Sequence, residues 1–317
     1  MDVVGIILAA GKGTRMRSIY NETAKVCFPI FDKCMIEYVV DSLKEAEITK
    51  LITIVGYKAN EVQEVLKDKS EYVYQLEQKG TGHAILQTLP LLKKDQVAVI
   101  VCGDTPLLKK ETLQALLKFH QDEQNQATIL EAEVENPFGY GRLVKEQNRL
   151  LKIVEERDAS EEIKKIRTIN TGVYVIDTNE LLNYILKLQP SNAQNEYYLT
   201  DIFQLMVQDK KKVTCYKTSD SSEFLGVNDR IQLAKATKII QKRINEKHML
   251  NGVTIMDPDT TYIGKDVLIG NDTILYPNTQ LFKNTIIGAN CKIGPNVFLQ
   301  DTIVKDCGII ENGIVKK

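Results

Sequence analysis

From residue 263 onward an aliphatic side chain returns at every sixth position: Ile263, Ile269, Leu275, Leu281, Ile287, Ile293 and Leu299. Glycine follows directly at 264, 270, 288 and 294. A helix repeats every ~3.6 residues and a strand about every two, so a strict step of six fits neither. TYIGKD, LIGNDT, IIGANC and KIGPNV read instead as six-residue units. Each is a short strand whose aliphatic residue points inward and whose small or polar residues turn a corner. Three units close one triangular coil, so the stretch predicts a β-solenoid of about two to three coils that stops near residue 299.

The preceding sequence is of another kind. Up to residue 227, β-branched runs such as VVGIILAA, LITIVGY and VAVIVCGD alternate with helically spaced stretches such as MIEYVVDSLKEA and ANEVQEVLKD. Such alternation predicts an α/β domain with a mainly parallel, doubly wound, Rossmann-like sheet covered on both faces. NDRIQLAKATKIIQKRINEKHML then lacks glycine and proline, and Ile231, Leu233, Ala234, Ile239, Ile240 and Ile244 roughly share a helical face. The expected division is a domain over 1–227, a connecting helix over 228–250 and a β-helix over 251–317.

Composition narrows the partners. Lys plus Arg number 41 against 42 for Asp plus Glu, a net charge of −1, so no global field draws the chain to nucleic acid or a membrane. The apolar start, Val3 to Ala10, is too short to insert into a bilayer and follows no basic segment. Six cysteines without a Cys-x-x-Cys pair suggest reduced, buried thiols in a cytoplasmic protein, and three scattered histidines argue against zinc.

LAAGKGTR, at the end of the first strand, asks for chemistry. It matches neither the dinucleotide fingerprint, where Met16 stands in place of the third glycine, nor the P-loop, whose glycines lie further apart. Bare backbone with Lys12 and Arg15 still suits an anion, because unhindered N–H groups approach a phosphate and the cations neutralise it. A plain tight turn is the competing reading.

LAAGKGTRM followed by Lys25, then QKGTGHA, VCGDTPLL, GYGR, IVEERDA, NTGVY and EYYLTDI, resembles the sugar-1-phosphate nucleotidyltransferases. The order is most similar to the bacterial N-acetylglucosamine-1-phosphate uridylyltransferases, which form the N-terminal half of a bifunctional enzyme and carry a left-handed β-helix. The resemblance covers essentially the whole chain. It implies attack of a sugar-1-phosphate oxygen on the α-phosphorus of UTP with loss of pyrophosphate, dependent on Mg2+. It further implies that Leu8, Ala9, Ala10, Gly11 and Gly13 hold the nucleotide and that Arg15 and Lys25 are catalytic, offsetting charge on pyrophosphate. Gly103 and Asp104 follow the VAVIVC strand, and Asp104 shares the metal with Asn228. Gln75, Gly80 and Thr81 select the base, an amide suiting the uracil edge. Gly141, Glu155, Asn170, Tyr198 and Thr200 hold the sugar.

For several of these residues a plainer role competes: a helix cap or turn for Asp104, a helix N-cap for Asn228, a surface amide for Gln75, and a solvated charge pair for Glu155 with Glu156. His83, His120 and His248 are read as structural, since a phosphate nucleophile needs no base. Two departures from the family stand out. Nine residues separate Arg15 from Lys25, more than usual, and Ala24 replaces a proline, so Lys25 is expected to be mobile until triphosphate binds. The histidine-bearing acetyltransferase part has no counterpart, so no acetyl transfer is expected; GIIENGIVKK reads as a finished terminus, with a fragment of a longer protein as the alternative. The family implies a homo-oligomer, with a trimer through the β-helix as one form. The alternatives are transfer to glucose-1-phosphate or another sugar phosphate, and a catalytically silent scaffold.

Overall fold

The structure, a computed structural model, describes residues 2–18, 23–146 and 149–316. The chain forms two compact units, Met1–Phe28 with Met35–Asn228, and Pro29–Cys34 with Asp229–Lys317.

The first unit is built on one nine-stranded sheet. Its main path runs Val213–Lys217, Ala127–Glu133, Thr168–Asp177, Val97–Cys102, Val3–Ala9, Lys50–Val55 and Glu71–Tyr74. All neighbours on this path are parallel except Thr168–Asp177, which runs antiparallel to both its partners. A hairpin, Arg142–Glu146 with Arg149–Val154, joins that strand through Ile169 and Arg142. The central strands are buried on both faces, as their unbroken apolar runs require. On one face, Val4, Ile6, Ile52, Ile54 and Ile100 meet Leu181, Tyr184, Ile202, Phe203 and Met206 from two helices, Thr178–Ile185 and Asp201–Gln208. On the other, Gly5 leaves room for Leu43 of the helix Met35–Glu45.

From Val3–Ala9 the chain moves out to Lys50–Val55 and Glu71–Tyr74, then returns to the opposite side at Val97–Cys102. That reversal opens a crevice beyond the carboxyl ends of Val3–Ala9 and Val97–Cys102, the place where open α/β sheets bind ligands. The glycine loop and Gly103–Asp104 both sit there.

The second unit contains a parallel β-helix with three faces, two of four strands and one of three, which makes three full turns and the start of a fourth. The expected stop near 299 is therefore corrected, since strands continue through Ile303–Val304, Ile309–Ile310 and Gly313–Lys316. Leu281 pairs with Leu299, but Ile287 pairs with Val304 and Ile293 with Ile310. One residue is missing from the corner after Leu299, and a fixed step of six loses the pattern there. Ile263, Leu275, Leu281, Ile287, Ile293 and Leu299 fill the interior. The glycines at 270 and 288 are required by stacking, because a Cβ at either would lie 2.5 Å from a backbone nitrogen of the next coil.

The helix Arg230–Leu250 is capped by Asp229, whose side chain accepts from Gln232 N at 2.8 Å. Its buried face differs from the expected one: Ile231 is 70% exposed, while Ala236, Ile240, Gln241, Asn245 and His248 are buried. The reason is the surface it meets. The first coil presents the carbonyls of Pro258, Asp259 and Thr261, and the Gln241 and Asn245 amides donate to them. The short hairpin of Pro29–Ile30 and Lys33–Cys34 also belongs to this unit, with Phe31 5.8 Å from Tyr262 and 6.2 Å from Phe282 between ring centres.

Leu281 is fully buried at the centre of the coil. Leu281→Ala should cost about 2–5 kcal/mol, the usual toll of a core cavity, read from urea unfolding followed by circular dichroism.

Candidate active site

The loop after Val3–Ala9 is bent by Gly13, whose φ of 62° lies in the left-handed region. A Cβ on Gly13 would collide with the Cβ and Cγ of Lys25, so this glycine sets both the turn and the seat of the lysine. Lys25 then reaches across the crevice, its Nζ pairing with Asp104 Oδ2 and donating to Asn228 Oδ1 at 2.8 Å. Arg15 Nη2 donates to the same Asn228 oxygen at 2.7 Å. Four residues from three distant parts of the chain thus meet at one point, two cations and two oxygen donors. Lys25 has partners here, at odds with the mobility expected for it; the middle of the preceding loop, 19–22, lies outside the described residues.

Asp104 does lie in the turn that follows its strand, as the plainer reading had it, and the turn aims its carboxylate at Lys25; Asn228 is not the helix cap. Thr105 makes the turn, its hydroxyl donating to Cys102 O at 2.7 Å, and the helix cap is Asp229. Asn228 is held by its own neighbours. Val227 N donates to Asp104 O at 3.0 Å, tying the segment to the strand end that carries the carboxylate. Upstream, Glu223 is buried and accepts from Thr112 Oγ1 at 2.9 Å and Lys109 N at 3.1 Å, while Asp220 pairs with Lys109 at 2.7 Å.

On one flank of the loop, Leu8, Ala10, Gly11, Gln75, Gly80 and Thr81 line a cleft of about 210 Å³, with Gln78, Ala84 and Glu196 beside them. Ala9 does not belong to this lining; it is buried and packs beside Gly103, whose N donates to Leu8 O at 2.9 Å. Gln75 is no surface amide, being 4% exposed, and its Nε2 donates to Gly80 O at 2.9 Å. Gly80 has φ 99° and lies against Tyr197 O, and Thr81 Oγ1 accepts from Leu199 N at 3.0 Å, so KGTG is braced on EYYLT. Gly56 was not singled out in the sequence. It ends its strand against Ala10 and Gln75 O, each 2.9 Å from where its Cβ would be, and a glycine closing LITIVG was the available signal.

On the other flank stand the expected sugar residues. Thr200 Oγ1 donates to Glu155 Oε1 at 3.1 Å, and Gly141 accepts from Asn170 N at 2.8 Å. A Cβ on Gly141 would come within 3.3 Å of Glu155 Oε2. Asn170 sits at a register shift in its strand, a bulge that re-aims it, and its Nδ2 donates to Tyr174 OH at 2.6 Å. Tyr198 is buried, and its hydroxyl accepts from Gln194 Nε2 at 2.7 Å. Burial raises the Glu155 carboxyl above its ordinary range; Asp201 and Asp158 push the same way, while the Thr200 hydroxyl and Arg142 oppose them.

Glu155 and Glu156 are not a solvated pair. Glu156 bonds to the buried Arg142 at 2.6 Å and accepts from Gly139 N at 3.1 Å, latching GYGR to IVEER while Glu155 turns inward. Tyr140, also missed, hydrogen bonds to the Gly226 backbone; burial raises its phenol and the nearby Asp104 charge adds to this.

Gly13→Ala should disturb Lys25 without unfolding the sheet. Nucleotide-dependent turnover is expected to fall by roughly a hundredfold, the usual result of small misplacement, with a near-normal circular dichroism melt.

The nucleotidyl transferase family model matches residues 4–254. The model for bacterial transferase hexapeptides, six repeats, matches 260–301. The chain is 47% identical over 270 residues to the bifunctional protein GlmU of Lactobacillus delbrueckii subsp. bulgaricus, covering 84% of this chain and 58% of that protein. To GlmU of Staphylococcus carnosus it is 45% identical over 270 residues, covering 84% and 59%. A Bacillus anthracis structure described as a glucose-1-phosphate thymidylyltransferase in complex with sucrose superposes with a TM-score of 0.63 at 23% identity, over 75% of this chain and 94% of that one, a likeness of fold. The chain spans less than two thirds of the length of the GlmU relatives it matches. With a matched transferase domain followed by hexapeptide coils, the chain belongs to the nucleotidyl transferase family.

Proposed function

We propose that this chain transfers a uridylyl group from UTP to N-acetylglucosamine-1-phosphate, forming UDP-N-acetylglucosamine and releasing pyrophosphate. The observation that carries the reading is the convergence of Lys25, Arg15, Asp104 and Asn228 beside the glycine loop. Similarity to GlmU proteins supports the choice of nucleotide and sugar.

The sugar phosphate is already an anion near neutral pH, so its oxygen can attack the α-phosphorus without a base. What the protein must supply is alignment and charge neutralisation. The cleft of Leu8, Ala10, Gly11, Gln75, Gly80 and Thr81 takes the base end, Gly11 and Gly13 admit the triphosphate close to the backbone, and Lys25 and Arg15 offset charge on the departing pyrophosphate. Glu155, with Thr200 beside it, accepts from sugar hydroxyls; Asn170 and Gly141 hold the sugar's other side.

Asp104 and Asn228 are hard oxygen donors already converging on one positive charge, the Lys25 ammonium. Among the described residues no group of three or more His, Cys, Asp or Glu could hold a metal. Two oxygens fit Mg2+, which takes few protein ligands and completes its shell with water and phosphate. When bound, Mg2+ would supply positive charge for the triphosphate and α-phosphate oxygens. We further place this activity in the cytoplasm and in a homo-oligomer. No helix among the described residues is long and apolar enough to cross a membrane. The paired outward residues Leu268, Ile286 and Ile303 form an exposed apolar row on the β-helix that supports association, a trimer being the form the family suggests.

Pyrophosphate release with UTP and Mg2+ tests the reading. N-acetylglucosamine-1-phosphate is expected to be preferred over glucosamine-1-phosphate and glucose-1-phosphate, and Asp104→Ala should abolish turnover. Release with glucose-1-phosphate alone would overturn the sugar assignment, and no release with any sugar would overturn the reaction.

A second prediction follows from Glu155. With its pKa raised, the carboxylate is lost on acidification earlier than an ordinary one. KM for the sugar phosphate should therefore climb as pH drops towards that raised value, and Glu155→Gln should start weak and flatten this limb. An unchanged acid limb in the variant would sink the assignment.

A further inference from the structure

The Gln75 amide nitrogen has two neighbours, Gly80 O at 2.9 Å and His83 Nδ1 at 3.2 Å. A carbonyl only accepts, so the atom facing Gly80 is the NH2 end, and the orientation of the amide follows from its partner. With one proton on Gly80, the other points at His83. Gln87 Nε2 faces the other ring nitrogen, Nε2, at 3.4 Å, and an uncharged imidazole accepts at one nitrogen only; the shorter contact, from Gln75, assigns the lone pair to Nδ1 and the ring proton to Nε2. Both donors of Gln75 are spent inside the protein, and Oε1 is what remains for the cleft it lines. The donor half of the amide is thus engaged within the protein, and its acceptor is the half left for a ligand.

We infer that His83 is a positioning residue that locks the Gln75 oxygen towards the nucleotide and so makes the cleft select uracil over cytosine. The inference rests on the uridylyl-transfer reading above. Uracil carries a proton on N3, which Oε1 can accept. Cytosine carries a lone pair there, and two acceptors facing one another leave both desolvated and unpaired. The amide cannot turn to suit cytosine while its nitrogen is held on two sides. Gly80 cannot yield either, because its φ of 99° and its packing against Tyr197 fix the carbonyl. Removal of His83 leaves the amide nitrogen held by Gly80 alone, so the amide can pivot about that one hydrogen bond and swing its oxygen away from an opposing lone pair.

The test is the ratio of kcat/KM for UTP and CTP in pyrophosphate release, measured for the natural protein, His83→Leu and His83→Asn. Leucine keeps bulk without an acceptor, whereas asparagine can place an amide oxygen near the position of Nδ1. The natural protein should prefer UTP; His83→Leu should lose that preference by roughly tenfold, and His83→Asn should keep most of it. His83→Ala is read in the same way where leucine does not fold. Because both nucleotides meet the same protein, a general loss of packing lowers both rates and leaves the ratio in place. An unchanged ratio in His83→Leu, an equal loss in His83→Leu and His83→Asn, or no UTP preference in the natural protein would overturn the inference. Absence of pyrophosphate release with every nucleotide would instead remove the uridylyl-transfer reading itself, and the inference with it.

Discussion

The pairing of Lys25 with Asp104 at the mouth of the sheet is the contact on which the catalytic unit depends. Each charge is largely withdrawn from water, with side chains 13% and 21% exposed. A desolvated charge left alone would be costly, so neither residue tolerates loss of the other without a substitute. Around this pair the fold supplies rigid supports: the carboxyl end of Val97–Cys102 under Asp104, the Gly13 turn under Lys25, and the segment anchored by Glu223 under Asn228. The same supports suit a site where charge shifts during reaction, because preorganised groups need not rearrange as it does.

The two flanking regions are built on a different economy. The KGTG and EYYLT segments are braced on each other, Gly82 N donating to Tyr197 O at 2.7 Å and Leu199 N to Thr81 Oγ1 at 3.0 Å. Glycines at 56 and 80 occur where a side chain would strike a neighbour. Selectivity in such a site comes from which polar atoms are left over after internal bonds are made. Gln75 retains an acceptor, whereas Glu155, pushed towards its neutral form by burial, retains a pH-sensitive one.

Much of this was legible in the sequence for identifiable reasons. Buried parallel strands write themselves as unbroken aliphatic runs, and a triangular coil writes itself as a step of six. The site motifs lay at strand ends, where a glycine or an acid has no packing role to hide it. Other features were not legible. The helix Arg230–Leu250 buries the amides of Gln241 and Asn245 beside Ile240 and leaves Ile231 exposed because it meets a surface of carbonyls, which no periodicity in the helix itself discloses. The last strands of the coil were lost when one corner shortened after Leu299. The Arg142–Glu156 latch joins residues whose meeting depends on a hairpin register.

By itself the sequence determined the classes of structure, an α/β sheet and a hexapeptide coil, because burial imposes a period on the chain wherever one face meets a core. It also determined which residue types could serve phosphate chemistry. Only the tertiary structure decided how those residues are oriented: that Glu155 meets Thr200 while Glu156 latches onto Arg142, that Asn228 faces two cations instead of capping a helix, and that Gln75 shows its oxygen. Those outcomes depend on partners brought from far along the chain. A hydrogen bond assigns its donor and acceptor only when both partners are in place.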